Sequence, residues 1–212
     1  MKDIYIVCAG DFGQEIYLML KTINKNAEKE GKPVPYNIKG FLSDVPVNFD
    51  RSYIDIDIVG DIQNWQPYGN EVYALGLADP KSKEKVSTLL KSRGAKFETI
   101  ISPWCTITGN IEFGEGCIVN PYIMHPGTKV GNFVNIMGSM VGAKAEIGDF
   151  STITGFVNIT NAKIGKRVFI GSHAVILNNK KVGDDAVVCA GSIVFNNVKK
   201  ETKVFGCPAI EI

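Results

Sequence analysis

Only two side chains in this sequence are suited to move a proton at neutral pH, the histidines His125 and His173. They lie in the segments "MHPGTKVG" and "IGSHAVI". A histidine can act as a general base, which takes a proton from an attacking nucleophile. His125 is the first candidate for a catalytic or substrate-contacting residue. A single histidine in such a segment is more often a solvated turn residue than a catalyst, so this alternative stays open for each histidine.

Residues 8–13, "CAGDFG", form a second candidate site because they separate an apolar run from an amphipathic segment. At such a strand-to-helix turn, backbone N–H groups and the helix dipole favour a phosphate. Gly10 and Gly13 would let a ligand approach the backbone closely, and Asp11 and Phe12 lie between them. Cys8 occupies the place of the first glycine of a dinucleotide fingerprint, so a tight turn without a ligand remains the alternative.

The first half of the chain alternates strand and helix patterns. Residues 4–9, 37–43 and 71–78 are apolar runs typical of strands, whereas residues 14–30 and 80–94 have helical spacing. This order predicts a small parallel sheet with right-handed crossovers, a Rossmann-like βαβ domain over residues 1–95. The domain is too short for the second half of a dinucleotide fold, which argues against a nicotinamide-dependent oxidoreductase.

From Ile100 onward, an apolar residue followed by glycine recurs every 17 or 18 residues. Such a short period, with brief β-branched runs and tight turns, is typical of a solenoid. Three sides per coil fit a triangular parallel β-helix whose coils stack about 4.8 Å apart. An antiparallel sandwich would instead show hairpin turns every 8 to 12 residues or so. We therefore predict a β-helix over residues 96–212. The repeated apolar residues are Phe113, Val130, Ile147, Ile164 and Val182.

Composition argues against several classes of protein. The formal net charge of +1 implies neither a nucleic-acid surface nor binding to an anionic membrane. No apolar run approaches the roughly 18 residues that span a bilayer, and the N-terminus resembles a strand rather than a signal peptide. The five cysteines contain no C-x-x-C pair, so we expect no metal site, no disulfide and a cytoplasmic protein.

Five segments, in their order along the chain, resemble one known family. They are "AGDFGQE", "GFLSD", "IVGD", "FETIISPWCTI" and "VFGCPA". Together with the repeat they resemble the bacterial hexapeptide-repeat sugar acetyltransferases, typified by sialic-acid O-acetyltransferases and by bacillosamine and perosamine N-acetyltransferases. The resemblance implies a left-handed β-helix, a homotrimer and acetyl-coenzyme A bound between neighbouring solenoids. It also implies a nucleotide-sugar held by the loop at residues 10–13 and by Asp44.

The resemblance also assigns roles within the repeats, and one essential position holds an unsuitable residue. Counting back from the "IGD" at residues 147–149, it implies a catalytic histidine at Ala143 and an acid at Lys144. His125 lies one coil earlier, about 5 Å away along the stack, and could face the same cleft. The remaining implied roles are an oxyanion-binding amide at Thr160 or Asn161, contacts to the pantetheine arm at Ser172 and Ala190, and contacts to coenzyme phosphates at Lys199, Lys200 and Lys203.

The missing base bears on the reaction. An alcohol attacks a thioester only if its proton is removed in the transition state, whereas a neutral amine can attack first and lose its proton later. We therefore favour N-acetylation of a nucleotide-linked amino sugar. A catalytically silent trimeric scaffold or regulator that binds nucleotide-sugar or coenzyme A remains open, as do an O-acetyltransferase with a displaced base and transfer of another acyl group.

A trimer is also favoured on physical grounds. A triangular solenoid has flat outward faces, and packing one against a second copy removes apolar patches from water. Met137 and Met140, in "VNIMGSMVG", fit either such an interface or the core.

Overall fold

The N-terminal apolar runs form a four-stranded parallel sheet in the computed structural model, which describes residues 1–212. The strands are β1 (Lys2–Val7), β2 (Tyr36–Leu42), β3 (Ile58–Gly60) and β4 (Val72–Leu75). Their order is β3-β2-β1-β4. The chain therefore adds strands on one side of β1 and then crosses to the other side, which opens a crevice at the carboxyl ends of β1 and β4. Strand β3 is the one that the sequence did not predict.

Helix α1 (Asp11–Lys29) follows β1 and buries one face, including Ile16 and Leu20, against the sheet. It begins three residues before the predicted start of residues 14–30. The reason is that Gly10, with an extended backbone (φ −66°, ψ −178°), forms the N-cap without a side-chain hydrogen bond. The loop and the helix are thus continuous.

Helix α2 (Pro80–Ser92) follows β4, and its start is fixed by its sequence. The Asp79 carboxylate accepts a hydrogen bond from the Ser82 amide at 2.8 Å, and a proline occupies the first helical position. Neither helix combines the length and the apolarity that a bilayer-spanning segment requires. After α2, Phe97 still pairs with Tyr73 of the sheet. The predicted domain boundary between residues 95 and 96 lies just before this contact and stays a prediction.

The repeats form a left-handed parallel β-helix with three faces, which confirms the predicted fold class. We name the faces by what covers or lines their outer sides. The domain face, whose first coils are covered by the N-terminal domain, contains β5 (Ile100–Ile101), β8 (Ile118–Asn120), β11 (Asn135–Met137), β14 (Thr152–Ile153), β17 (Phe169–Ile170), β20 (Val187–Val188), β22 (Lys203–Phe205) and the antiparallel β23 (Ile210–Glu211). The apolar face contains β6 (Thr106–Ile107), β9 (Ile123–Met124), β12 (Met140–Val141), β15 (Asn158–Ile159), β18 (Val175–Ile176) and β21 (Ile193–Val194). The charged face contains β7 (Glu112–Phe113), β10 (Lys129–Val130), β13 (Glu146–Ile147), β16 (Lys163–Ile164) and β19 (Lys181–Val182).

Aliphatic side chains from all three faces fill the interior of the β-helix. Residues such as Ile136 and Ile153 stack directly on each other in successive coils and are fully buried. Val141 and Ile159 do the same on the apolar face. Burial of each such side chain contributes about 1.5–3 kcal/mol, and the parallel register repeats this contact in every coil.

Three corners close each coil, and residues in the left-handed region of backbone space recur at them. The turn is held by an amide that donates to the coil before it, as in Lys144 N to Pro126 O at 3.1 Å. Side chains at these corners therefore point outward in columns. The corners are the domain corner (Phe133, Phe150, Arg167), the groove corner between the domain and apolar faces (Phe156, His173, Gly191), and the lysine corner between the apolar and charged faces (Gly127, Lys144, Asn161, Asn179).

The N-terminal domain docks on the outer side of the domain face. Asn135 Nδ2 donates to Leu77 O at 2.8 Å, and Thr152 Oγ1 donates to Ala78 O at 2.6 Å. Met137 packs beneath the same domain, whereas Met140 lies on the apolar face, so the two methionines have different environments. The carboxyl edge of the sheet therefore abuts the β-helix.

Lys83 of α2 ties the two parts together at the domain corner. Its side chain is fully buried, and its Nζ donates to Phe133 O and Ser151 O, both at 2.9 Å. Burial lowers the pKa of this amine to about 7. A neutral amine has two N–H donors, and the two carbonyls use both of them.

Candidate functional site

The loop at residues 8–13 lies at the carboxyl end of β1, beside the crevice that the strand order creates. The first amide of α1 to donate within the chain is Gln14 N, which donates to Gly10 O at 3.0 Å. The amides of residues 11–13 have no acceptor in the chain. Free amides at a helix N-terminus are what a phosphate group requires.

The unusual residues of this loop have distinct structural roles. Cys8 adopts a left-handed backbone with φ 77°, a conformation that glycine adopts at least cost. A β-carbon on Gly13 would overlap the carbonyl oxygen of Cys8, so α1 can approach the strand only with glycine at that position. Burial, with a smaller contribution from the Asp44 carboxylate, raises the pKa of the Cys8 thiol to about 11. Cys8 is therefore a protonated wall of the crevice rather than a nucleophile.

Asp44 lies at the carboxyl end of β2, near the same loop, but its carboxylate is already used within the chain. Its Oδ1 accepts hydrogen bonds from Ile62 N at 2.6 Å and Gln63 N at 3.2 Å. Its Oδ2 accepts one from Gln63 Nε2 at 3.3 Å. Asp44 thus anchors the turn after β3, and its predicted contact with a sugar nucleotide would have to share this carboxylate.

Two of the predicted positions, His125 and Thr160, lie in one column beside the lysine corner, with Gly142 between them. In this column, His125 N donates to Val141 O at 2.9 Å, and Gly142 N donates to Ile159 O at 2.6 Å. Thr160 occupies the next coil, yet its amide donates to no acceptor in the chain. The backbone ladder is therefore interrupted at Thr160, which leaves a free N–H donor where the resemblance implies an oxyanion-binding amide.

Ala143 and Lys144 follow this column directly. Ala143 offers only a methyl group, and Lys144 is exposed with φ 60°. His125 is half-buried and lies beside Gly142 of the next coil, since its amide donates to Val141 O. The role of His125 as a displaced base remains a prediction.

Ser172 and Ala190 come together at the groove corner, in successive coils. Both line a groove of about 410 Å³ on the uncovered end of the domain face, with Phe169 and Val187 among its apolar walls. Ser172 Oγ forms a hydrogen bond with Thr154 Oγ1 at 3.2 Å. A narrow groove with apolar walls and a few hydroxyl groups suits a chain of alternating methylene and amide groups. Of the three predicted phosphate-contacting lysines, only Lys203 lines this groove.

An exposed aromatic column runs along the groove corner and was not predicted from the sequence. Phe156 and His173 stack with ring centroids 4.8 Å apart and an interplanar angle of 10°, and Tyr122 lies 5.8 Å from Phe156. Phe156 is 59% exposed. The 17-residue spacing between Phe156 and His173 equals the coil period, so the sequence contained the signal. This stacking makes His173 part of an aromatic surface.

The predicted site residues thus lie on both edges of the apolar face. Thr160 and His125 border its lysine-corner edge, and Ser172 and Ala190 border its groove-corner edge. One small ligand cannot contact both edges of the same chain without crossing the face. The two edges become adjacent only if a second chain packs along this face.

All five cysteines are free thiols, and Cys207 is the most accessible of them. No group of three or more His, Cys, Asp or Glu side chains converges in a way that could hold a metal ion.

Comparison with sequences of known proteins gives a partial match. No family model matches the chain. The bifunctional protein GlmU of Streptococcus agalactiae serotype V is 29% identical over 191 residues, which cover 76% of this chain and 40% of GlmU. The chain therefore spans less than half the length of this relative.

Solved structures match the whole chain. The acetyltransferase domain of PglB from Neisseria gonorrhoeae, in complex with acetyl coenzyme A, superposes with a TM-score of 0.80 at 17% identity, covering 100% of this chain and 99% of that one. A mutant perosamine N-acetyltransferase from Caulobacter crescentus, in complex with CoA and GDP-perosamine, gives 0.79 at 15% identity, covering 100% and 97%. At these identities the match establishes the fold.

Proposed function

Because this chain has the fold of the hexapeptide-repeat sugar acetyltransferases, we propose that it transfers an acetyl group from acetyl-coenzyme A to the amino group of a nucleotide-linked sugar. The product would serve glycan biosynthesis. The observation that carries the proposal is the free amide of Thr160. It lies at one edge of the uncovered apolar face, and the groove lined by Ser172 and Ala190 lies at the other edge. The acetyl coenzyme A and GDP-perosamine complexes of the structural neighbours support the same ligand classes.

The active molecule is a homotrimer in this proposal. Packing the apolar face of one copy against a second copy would bring the lysine corner of one chain opposite the groove corner of its neighbour. The pantetheine arm would lie along the groove, with its thioester directed at Thr160 of the adjacent chain. Each active site would then need two chains.

The proposed reaction uses an amine because no base occupies position 143. The neutral amine nitrogen bonds to the thioester carbonyl carbon, and the Thr160 N–H stabilises the oxyanion that forms. The carbon–sulfur bond then breaks, the thiolate of coenzyme A leaves, and the ammonium proton passes to water. His125 would at most assist this last step.

The nucleotide-sugar would bind at the loop of residues 8–13. The free amides at the start of α1 would hold a phosphate, and Gly10 and Gly13 permit its approach to the backbone. Asp11, in the first turn of the helix, is a competing negative charge, so the phosphate would bind on the side of the loop away from its carboxylate.

A direct assay tests the transfer. Purified protein with acetyl-coenzyme A and a panel of 3-amino and 4-amino sugar nucleotides should yield an N-acetylated sugar nucleotide, measured by mass spectrometry of the small molecules. Thiol reagents are unsuitable because the chain itself carries five free thiols. Absence of product across the panel would contradict the proposal.

A catalytically silent protein that binds coenzyme A or nucleotide-sugar is the second candidate. Ala143 and Lys144 at the positions of the base and the acid favour it. Coenzyme A at 100 times its dissociation constant should add about 2.7 kcal/mol to the stability of any protein that binds it. Stabilisation by coenzyme A without product would support the silent protein, and no stabilisation by either ligand would exclude both candidates.

O-acetylation with a displaced base is separable from both. If His125 is the base, His125→Ala should lower kcat by about 100-fold or more. Unchanged activity in this variant would eliminate the displaced base. The five free thiols are also consistent with function in a reducing cytoplasm.

A further inference from the structure

A second cavity, of about 410 Å³, opens at the lysine corner next to Ala143 and Thr160. It has no apolar lining residue, unlike the groove at the opposite edge of the apolar face. Its walls come from three successive coils. The lining residues are Lys144, Glu146, Asn161, Lys163, Asn179, Lys180 and Lys181.

The charges in this corner pocket do not balance. Lys163 Nζ contacts both carboxylate oxygens of Glu146, at 2.8 and 3.0 Å, so the one acid in the pocket is already paired. Lys144, Lys180 and Lys181 have no carboxylate within ion-pair distance. The pocket therefore has an excess of three positive charges, which repel one another unless an anion binds.

Neutral donors complete the lining. Asn161 Nδ2 donates to Asn179 Oδ1 at 2.9 Å, which fixes both amides against the wall. The backbone N–H of Asn161 has no acceptor in the chain, and this residue has a left-handed backbone with φ 42°. A free amide at a left-handed turn is a donor of the kind that contributes to anion-binding concavities. This break in the backbone ladder is an observation independent of the lysines.

The geometry points to a phosphate or diphosphate site, and we propose that the corner pocket binds such a group. Several ammonium groups around a polar cavity suit a multiply charged anion with several oxygens better than a single carboxylate. This site accounts for a lysine at position 144. The resemblance implies an acid at this position, whereas here the Lys144 side chain forms one wall of a positively charged pocket.

The identity of the ligand that carries the phosphate rests on the proposed function, whereas phosphate binding in the pocket does not. The pocket adjoins Thr160, so the phosphate would belong to one of the two reactants, coenzyme A or the nucleotide-sugar. Its position opposite the Ser172 groove would allow a long ligand to be held at both ends across an interface between chains.

Titration calorimetry of the 212-residue chain with inorganic pyrophosphate tests the site directly. Lys180→Gln/Lys181→Gln should weaken pyrophosphate binding by about tenfold or more, and added salt should weaken binding to the unsubstituted protein. The matched control is Lys29→Gln/Lys85→Gln, which removes the same charge from exposed helix positions far from the pocket and should change affinity less than about twofold. Undetectable binding, or equal weakening in both variants, would overturn the proposal.

Two further titrations identify the source. If the pocket holds the 3′-phosphate of coenzyme A, the double variant should lose affinity for coenzyme A but not for its 3′-dephospho form. If it holds the acceptor, the variant should lose affinity for nucleoside diphosphates instead. Loss of affinity for neither reactant would overturn the assignment to a reactant. If the protein binds pyrophosphate but does not transfer acetyl groups, the result would contradict the proposed function and would still support phosphate binding in the corner pocket.

Discussion

The apolar and charged faces of the β-helix have the same backbone and the same kind of core, but opposite outer surfaces. Both consist of parallel two-residue strands in matching register, and both turn aliphatic residues inward. The outward residues of the charged face are Glu112, Lys129, Glu146, Lys163 and Lys181, whereas those of the apolar face are Thr106, Ile123, Met140, Asn158, Val175 and Ile193.

This difference indicates which face a second chain would cover in the proposed trimer. The charged face forms exposed ion pairs between successive coils, such as Lys163 with Glu146 at 2.8 Å, so its side chains can remain in contact with water. The apolar face leaves Met140 47% exposed and has no such pairs. The domain face shows what a covered face looks like, because Ile100 and Ile118 on its outer side are fully buried under the N-terminal domain. In the proposed trimer, we therefore place the interface between chains on the apolar face.

Placing charges on the apolar face should have the largest effect, because it should prevent the chains from associating. Met140→Lys/Val175→Lys places two charges on it and should reduce the mass measured by sedimentation equilibrium from that of a trimer to that of one chain, with loss of acetyl transfer. The charge exchange Glu112→Lys/Lys129→Glu on the charged face is the control and should leave the mass unchanged. A single-chain mass for the unsubstituted protein would refute the assignment.

The next largest effect should come from filling the groove at the edge of the apolar face. Ala190→Trp places a large side chain among the groove residues and should abolish most of the stabilisation, about 2.7 kcal/mol, that coenzyme A provides at 100 times its dissociation constant. Lys129→Trp on the charged face should leave that stabilisation intact. Thermal melting with and without coenzyme A measures both, and equal stabilisation of the two variants would show that coenzyme A does not use the groove.

The covered face offers a smaller test that depends on pH. The folded-state pKa of Lys83 is lowered to about 7, so above this pH the unfolded chain binds one more proton at this lysine than the folded chain does. The stability of the folded state should therefore rise, by about 1 to 2 kcal/mol, between about pH 7 and pH 8.5. The half-buried Cys8 thiol and the buried Cys117 thiol have raised pKa values, which act in the opposite direction at higher pH and set the upper limit of this window.

The variant Lys83→Met isolates this contribution. It removes the titrating amine and leaves the carbonyls of Phe133 and Ser151 without its two hydrogen bonds, at a cost of about 1–2 kcal/mol. The cost relative to the unsubstituted protein should be larger at pH 8.5 than at pH 7, as measured by urea unfolding. Lys85→Met, an exposed position on the same helix, should show neither effect, and the same pH slope in both variants would show that Lys83 does not titrate in this range.

The comparison of faces also explains what the sequence could predict. The period of Val130, Ile147 and Ile164 was sufficient for the β-helix because the inward position repeats in every coil. Which outer face is covered was not predictable, since Met137 and Met140 look alike in sequence and differ only through where the N-terminal domain docks.

The candidate site was predictable to a similar extent. The loop at residues 8–13 followed from its glycines and its position between a strand and a helix. The free amide of Thr160 was not predictable, because a missing backbone hydrogen bond leaves no trace in residue type. Likewise, Lys144, Lys163 and Lys181 are far apart in the chain and converge only through the stacking of coils.

The smallest expected effects come from two glutamates of the charged face, Glu112 and Glu146, which differ only in their neighbours. Glu112→Gln breaks one exposed ion pair with Lys129, at 3.8 Å, and should change the free energy of unfolding by no more than about 0.5 kcal/mol. Glu146→Gln should be equally mild for stability, yet it removes the only acid of the corner pocket and should tighten pyrophosphate binding several-fold. Glu112→Gln lies outside the pocket and should leave that affinity unchanged, so equal affinities in the two variants would mean that the charges of the pocket do not act on a bound anion.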